Sequence, residues 1–320
     1  MKFILALAQI DNVLGDLKKN AQKHIEYIRR AREGGADLVV FPELSLTGYS
    51  IKDSNLDLAL RVSNLQAPRR GSAESRLGPA MSRTAGPSRD RAGRGQDPRA
   101  RENVLRGIIK ESSHIAIIMG CIEQSADFGI YNSALFIEKR SVACVHRKVY
   151  PPTYGMFEEM RYFSAGNRAA AFDTALGRMG VLICEDLWHL PLPYLLAKDG
   201  AQVIIGIAAS PTRLSGDAEG LQNARINSEQ HRAFARLLST YVVFCNRVGL
   251  EDGVNFWGGS EVVGPSGEVL VQTKYFEEDL VFVTIDDNEV RRARQFSRHF
   301  LDDDPGLVLS ELARIVKWPE

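Results

Sequence analysis

The chain has 320 residues and a mass of 35.5 kDa, with 44 % apolar and 25 % charged residues, which suits a globular protein with a large core. Forty basic residues balance forty acidic ones, and this argues against a general nucleic-acid or polyanion binder. No apolar run approaches the roughly 18 residues of a membrane span. The four cysteines, Cys121, Cys144, Cys184 and Cys245, form no C-x-x-C pair. They fit a reducing, cytoplasmic compartment better than a disulfide framework or a zinc ribbon.

The elements alternate between strand and helix along the chain. Lys2 followed by Phe3-Ile4-Leu5-Ala6-Leu7-Ala8 imitates a short secretory signal with an A-x-A end, but it reads better as a buried first strand. Leu17, Ala21, Ile25 and Ile28 recur at helical spacing, and Gly34-Gly35 ends that helix. Leu38-Val39-Val40-Phe41 predicts a short strand that stops at Pro42. Further apolar runs predict strands at 115–122, 133–137, 142–145, 180–184, 203–208, 241–245 and 280–285. A long helix is expected over 220–239, and a hairpin over 260–271 turning at Gly264-Pro265-Ser266-Gly267. Such a mixture implies a mixed sheet in an α/β domain spanning residues 1–286. Residues 287–320 form a charged, then helical, extension suited to packing or to a subunit contact.

Residues 66–101 break this pattern. They hold nine arginines, no lysine, and no Ile, Val, Phe, Tyr or Trp. A segment of that composition, bounded at about 64–101, predicts a disordered insertion or a stretch translated out of frame. No aromatics interleave the arginines, so it is a poor design for a basic arm that stacks on bases.

Several residues stand where chemistry collects. Glu43 follows Val39-Val40-Phe41-Pro42 and so sits at a strand's C-terminal end, where ligands gather in α/β sheets. A partly desolvated carboxylate there suits general-base work. Cys184 ends the run Gly180-Val181-Leu182-Ile183 and precedes a turn into a helix over 191–198, the outline of a nucleophile elbow. The bland reading of Cys184 is a buried structural thiol, and Cys121, Cys144 and Cys245, lying within strands, take that reading. Lys148 at another strand end is a candidate oxyanion donor or an ordinary solvated base. Glu159, eleven residues later, is placed to orient it.

Four motifs occur in order: PELSLTGY (42–49), HRKVYPPTYGMFEEMRYFSAGN (146–167), GVLICEDLWH (180–189) and GGSEVVGPSGEVL (258–270). Together they resemble the nitrilase superfamily of carbon–nitrogen hydrolases, from residue 3 to about 286. The resemblance implies a four-layer α-β-β-α sandwich, homo-oligomers, and a Glu-Lys-Cys catalytic set with a supporting glutamate: Glu43, Lys148, Cys184 and Glu159. It implies a cysteine thioester mechanism with no metal and no cofactor, and loss of Lys148 is expected to cripple turnover without unfolding the chain. Within the superfamily the chain is similar to the glutaminase domain of glutamine-dependent NAD synthetases, through Tyr154-Gly155-Met156-Phe157-Glu158-Glu159 and Cys184-Glu185-Asp186-Leu187-Trp188. That likeness implies a substrate pocket of Tyr154, Glu185 and Ser210, with Tyr49 and Trp188 nearby. The matching Asn-Ala-Ser-Pro motif reads Ala208-Ala209-Ser210-Pro211 here, and no S-G-G-x-D-S pyrophosphate loop of a synthetase half occurs. Phe157, His189, Arg213 and Trp257 are further residues within reach of such a pocket.

The expected activity is hydrolysis of a small linear carboxamide to carboxylate and ammonia. Two alternatives stand beside it. One is a glutaminase subunit that passes ammonia to a separate synthetase, and the other is a non-catalytic binding protein. The expected partners are a small amide and further copies of the chain, with no nucleic acid and no membrane.

Overall fold

A computed structural model describes residues 1–65, 98–212 and 221–316. Most of the arginine-rich segment, and Arg213, lie outside these residues. In chain order the elements are β1 (Lys2–Gln9), α1 (Leu17–Glu33), β2 (Leu38–Val40), α2 (Asn55–Leu58), α3 (Pro98–Glu111), β3 (Ala116–Gln124), β4 (Ile130–Glu138), β5 (Ser141–Arg147), β6 (Phe172–Thr174), β7 (Gly177–Ile183), α4 (Pro191–Lys198) and β8 (Val203–Ala208). There follow β9 (Pro211–Thr212), α5 (Gln222–Leu238), β10 (Tyr241–Asn246), β11 (Val248–Glu251), β12 (Val254–Trp257), β13 (Glu261–Val263), β14 (Val269–Gln272), β15 (Asp279–Asp286), α6 (Asp287–Phe296), α7 (His299–Asp302) and α8 (Pro305–Ile315).

Two six-stranded sheets, ordered β15-β1-β2-β3-β4-β5 and β14-β13-β10-β8-β7-β6, stack face to face. The period-two alternation of side chains explains why. On β1, Leu5 and Leu7 join Val40, Ile118, Val181, Ile205 and Val243 in the core between the sheets. Ala6 and Ala8 face the other way, onto Ala21, Ile28, Leu105 and Ile108 of α1 and α3. On the second sheet Leu182, Ile204 and Val242 meet Leu196, Phe234 and Leu238 of α4 and α5. Both faces of each sheet are covered, which is why the central strands read as unbroken apolar runs. The result is the four-layer α-β-β-α sandwich.

Local chemistry sets the element ends. The Asp16 carboxylate caps α1 by accepting from the Lys19 N–H at 3.0 Å, and Gly35 at φ +80° lets the chain turn out of it. Two boundaries differ from expectation. Helix α3 begins at Pro98, inside the segment predicted to be disordered, because Leu105 and Ile108 anchor the helix in the first core. Strand β5 runs on to Arg147 instead of breaking at His146, held by its pairing with β4. After β15, Val290 of α6 and Phe300 of α7 are buried against the domain, whereas α8 has no buried residue.

Parallel pairing sets the direction of the rim. Strands β1, β2 and β3 run parallel, as do β7, β8 and β10. Two antiparallel steps through β4 return β5 to the direction of β3. The C-terminal ends of β2, β5, β7, β8 and β10 therefore deliver Glu43, Lys148, Cys184, Ser210 and the side chain of Asn246 to one end of the sandwich.

Candidate active site

Two strand ends break sharply at this rim. Leu44, just after Glu43, has φ +47°, and Cys184 itself has φ +49°. Each left-handed non-glycine residue costs about 1–3 kcal/mol, so the surrounding structure must hold it in place. Gly120 on β3 makes room for the first break, since a Cβ there would collide with the backbone of Glu43 and Leu44.

At the centre is Lys148, whose side chain is only 1 % exposed. Its Nζ donates to Glu43 Oε1 at 2.8 Å and to Glu159 Oε1 at 2.6 Å. Burial opposes the charge on this amine, but the two carboxylates outweigh it and hold the lysine pKa well above its ordinary value. Burial also raises the Glu159 carboxyl, against the pull of Lys148. Tyr49 donates its hydroxyl to Glu159 Oε1 at 2.6 Å, and burial pushes that phenol well up.

The Glu43 carboxylate is divided between two jobs. Oε1 accepts from Lys148 and from Asn132 Nδ2 at 2.7 Å, while Oε2 accepts from the Ala209 N–H at 2.8 Å. Asn132 Nδ2 also lies 3.4 Å from Glu159 Oε2, so one amide touches both glutamates. The Cys184 thiol lies within electrostatic reach of Glu43, Lys148 and Glu159. Burial and then Glu43 raise its pKa well above an ordinary thiol, with Lys148 and the Ala209 N–H pulling the other way. A thiol pushed in that direction calls for a nearby base to take its proton as it attacks.

The mouth of the site is looser. Tyr154, 58 % exposed, donates to Glu185 Oε2 at 2.8 Å. Its ring packs on Phe157, which in turn meets Tyr49 edge-on. His189 stacks on Tyr150 with ring centroids 3.5 Å apart, and its Nε2 stands 3.8 Å from Glu185 Oε1. Ser210 is fixed by Asn246, whose Oδ1 accepts from the Ser210 N–H at 2.8 Å, and by Trp257 Nε1, which donates to its hydroxyl at 3.2 Å. Trp188 remains 47 % exposed, and its indole makes no hydrogen bond among the described residues.

Sequence reasoning missed three polar residues here: Asn132, Asn246 and Asp186. Each is a buried polar side chain on or beside a strand that otherwise reads as apolar, and that contrast is the only signal the sequence carries for them. Among the described residues no group of three or more His, Cys, Asp or Glu is arranged to hold a metal, and no helix is long and apolar enough to cross a membrane.

Comparison with known proteins identifies the family. The carbon-nitrogen hydrolase family model matches residues 4–295. The glutamine-dependent NAD(+) synthetase of Acinetobacter baylyi is 28 % identical over 313 residues, which is 98 % of this chain and 48 % of that protein. Its counterpart in Thermotoga maritima is 31 % identical over 288 residues, 89 % of this chain and 42 % of that protein. The chain thus spans about half the length of these curated relatives. Among solved structures, the glutamine-dependent NAD+ synthetase of Acinetobacter baumannii superposes with a TM-score of 0.70 at 27 % identity, over 91 % of this chain and 47 % of that one. A carbon-nitrogen hydrolase from Helicobacter pylori gives 0.76 at 21 % identity over 99 % of both chains, a likeness of fold. The chain belongs to the carbon–nitrogen hydrolase family, within the nitrilase superfamily, and is an enzyme of its amidase type.

Proposed function

We propose that this site hydrolyses the side-chain amide of glutamine through a thioester on Cys184 and releases ammonia for a separate synthetase. The observation that carries the chemistry is Lys148, buried at a strand end and bonded to Glu43 and Glu159 at 2.8 and 2.6 Å. The substrate rests on two supports: the similarity to glutamine-dependent NAD(+) synthetases over nearly the whole chain, and the Tyr154–Glu185 pair at the mouth.

Glu43 Oε1 is occupied by Lys148 and Asn132, so Oε2 is the oxygen with room for a proton. It takes the proton of Cys184 as the sulfur attacks the amide carbon. Lys148 and the Glu185 N–H receive the tetrahedral oxyanion, each contributing on the order of 3 kcal/mol. Glu43 returns the proton to the nitrogen as the C–N bond breaks, and ammonia leaves a thioester. A water deprotonated by Glu43 then cleaves the thioester to carboxylate and free thiol.

A stand-alone amidase acting on a small linear carboxamide is the second reading. Ala208 favours it, because the motif that lines a glutamine pocket lacks its first asparagine here. Incubation with glutamine, asparagine, acetamide and acrylamide, read by ammonia release beside a Cys184→Ala control, separates the readings. Glutamine turnover that rises when an ammonia-using synthetase is added supports the first. Release that persists in the control sinks both. The exposed apolar stripe of α8, including Leu309 and Leu312, supports a homo-oligomeric contact, and an unchanged sedimentation coefficient in Leu309→Asp/Leu312→Asp argues against it.

A further inference from the structure

The turn after Cys184 carries a carboxylate that the proposed chemistry leaves unused. Asp186 is fully buried and accepts from four donors. Its Oδ1 takes the backbone N–H groups of Val149 and Tyr150, both at 3.0 Å. Its Oδ2 takes the Ile183 N–H at 3.1 Å and His146 Nε2–H at 3.0 Å. An ionised carboxylate offers about four lone-pair sites, so this one is saturated.

The donors bracket the two residues whose separation matters most. His146 lies two positions before Lys148, while Val149 and Tyr150 are the next two after it. Ile183 immediately precedes Cys184. Strands β5 and β7 belong to different sheets, so no backbone ladder sets the distance between their ends. Within its own sheet Lys148 is held by its N–H on the Asn132 carbonyl at 2.9 Å, which fixes it to β4 but not to Cys184. Asp186 bonds the Lys148 and Cys184 segments directly, and its hold on the Ile183 N–H closes the left-handed turn at Cys184. An apolar side chain here would leave the Val149, Tyr150 and Ile183 N–H groups without an acceptor, so Asp186 also supports the fold, and a positioning role shows in kcat rather than in Tm.

We propose that Asp186 is a positioning residue that sets the placement of Lys148 against the Cys184 sulfur. The inference rests on the reading of Cys184 as nucleophile and Lys148 as oxyanion donor. Asp186→Asn keeps the shape but turns an N–H towards Ile183 and His146. His146→Phe removes one donor of four and leaves the three backbone bonds.

The test measures kcat and KM with whichever of glutamine, asparagine, acetamide and acrylamide the wild type hydrolyses fastest. Rates are normalised to Cys184 thiols titrated with iodoacetamide and located by peptide mass spectrometry, because Cys144 is also partly exposed, and Tm is recorded for each variant. Asp186→Asn should lose about ten- to a hundredfold in kcat per titrated thiol, the scale of a misplacement near 1 Å, with KM within about threefold. His146→Phe should lose a few-fold in the same parameter. A fall in Tm with wild-type kcat per titrated thiol overturns the positioning role, and so does a loss carried wholly by KM. If Asp186→Asn does not fold, wild-type kcat in His146→Phe is enough to overturn it. A Cys184→Ala protein as active as wild type instead overturns the nucleophile reading beneath it, so the two failures are distinct.

Discussion

The floor and the mouth of the site are built on opposite principles. On the floor, Lys148, Glu43, Glu159 and Asn132 are withdrawn from water and, with the half-buried Tyr49, share one network of hydrogen bonds in which Asn132 Oδ1 finds no partner among the described residues. At the mouth, Tyr154, Glu185, His189 and Trp188 keep partial exposure and few bonds. A preorganised floor can meet a developing charge without reorganising, because its dipoles and charges are already aimed in a dry medium. A loose mouth can admit and release substrate. The contrast predicts that floor variants lose kcat and stability together, while mouth variants alter KM and leave the fold alone.

Lys148→Met should break the comparison most severely. It leaves two buried carboxylates without their shared cation, so kcat should fall by about 10²–10³-fold. Stability should drop by roughly 3–5 kcal/mol, the usual penalty for removing one partner of a buried pair. Ammonia release and urea unfolding measure the two. Because the side chain is 1 % exposed, the expected loss of turnover should come with a measurable cost in stability, even where the chain still folds. A variant as stable as wild type would mean that the floor is wetter than described.

The floor also depends on a histidine behind it. His24 of α1 is fully buried, bonded to the Asn20 carbonyl at 2.7 Å and to Ser45 Oγ at 2.9 Å, just beyond the Glu43 turn. Burial lowers its pKa from 6.5 to about 4. The folded pKa lies below the unfolded one, so between these values the unfolded chain binds a proton that the folded chain refuses. Stability present above pH 6.5 is therefore lost as the pH falls towards 4, by about 3 kcal/mol in all. Unfolding of wild type and His24→Gln at pH 7 and pH 4.5 tests this. The wild type should show the steeper decline, and parallel curves would exclude His24 as its cause.

How much of this was legible in the sequence follows from what each residue does. The central strands were readable because both faces of each sheet are covered, as in Val203–Ala208. Glu43 and Cys184 were readable as strand-end residues, and the Ser260–Val271 turn through its glycines, with Gly267 at φ +88°. The short strands β6, β9, β11 and β12 were not, since two to four residues carry no periodicity. Lys148 was legible in position but not in environment, because its burial depends on Glu43, 105 residues earlier. Asn132 was invisible for the same reason: its amide matters only once two distant glutamates stand on either side of it.

Asn132→Ala should sharpen the comparison at an intermediate scale. Its amide donates to Glu43 and reaches Glu159, so removing it leaves the two buried carboxylates a donor short. The loss in kcat should be about tenfold, the worth of one charge-assisted bond, with KM near wild type. A loss carried by KM with kcat intact would place Asn132 with the mouth instead.

The smallest effect is expected at the mouth. Tyr154→Phe removes a bond to Glu185 from a side chain that is 58 % exposed, so water replaces much of what is lost. Such a bond is worth about 0.5–1.5 kcal/mol, or a few-fold in KM, with kcat and Tm near wild type. The phenol is itself pushed up to about 12, by burial first and then by Glu185, so it stays a donor throughout the working pH range and the KM effect should be independent of pH. A kcat loss as large as that of Asn132→Ala would place Tyr154 on the floor instead. The boundary between the rigid and adaptable halves of the site would then lie beyond Phe157, at the stacked pair of Tyr150 and His189.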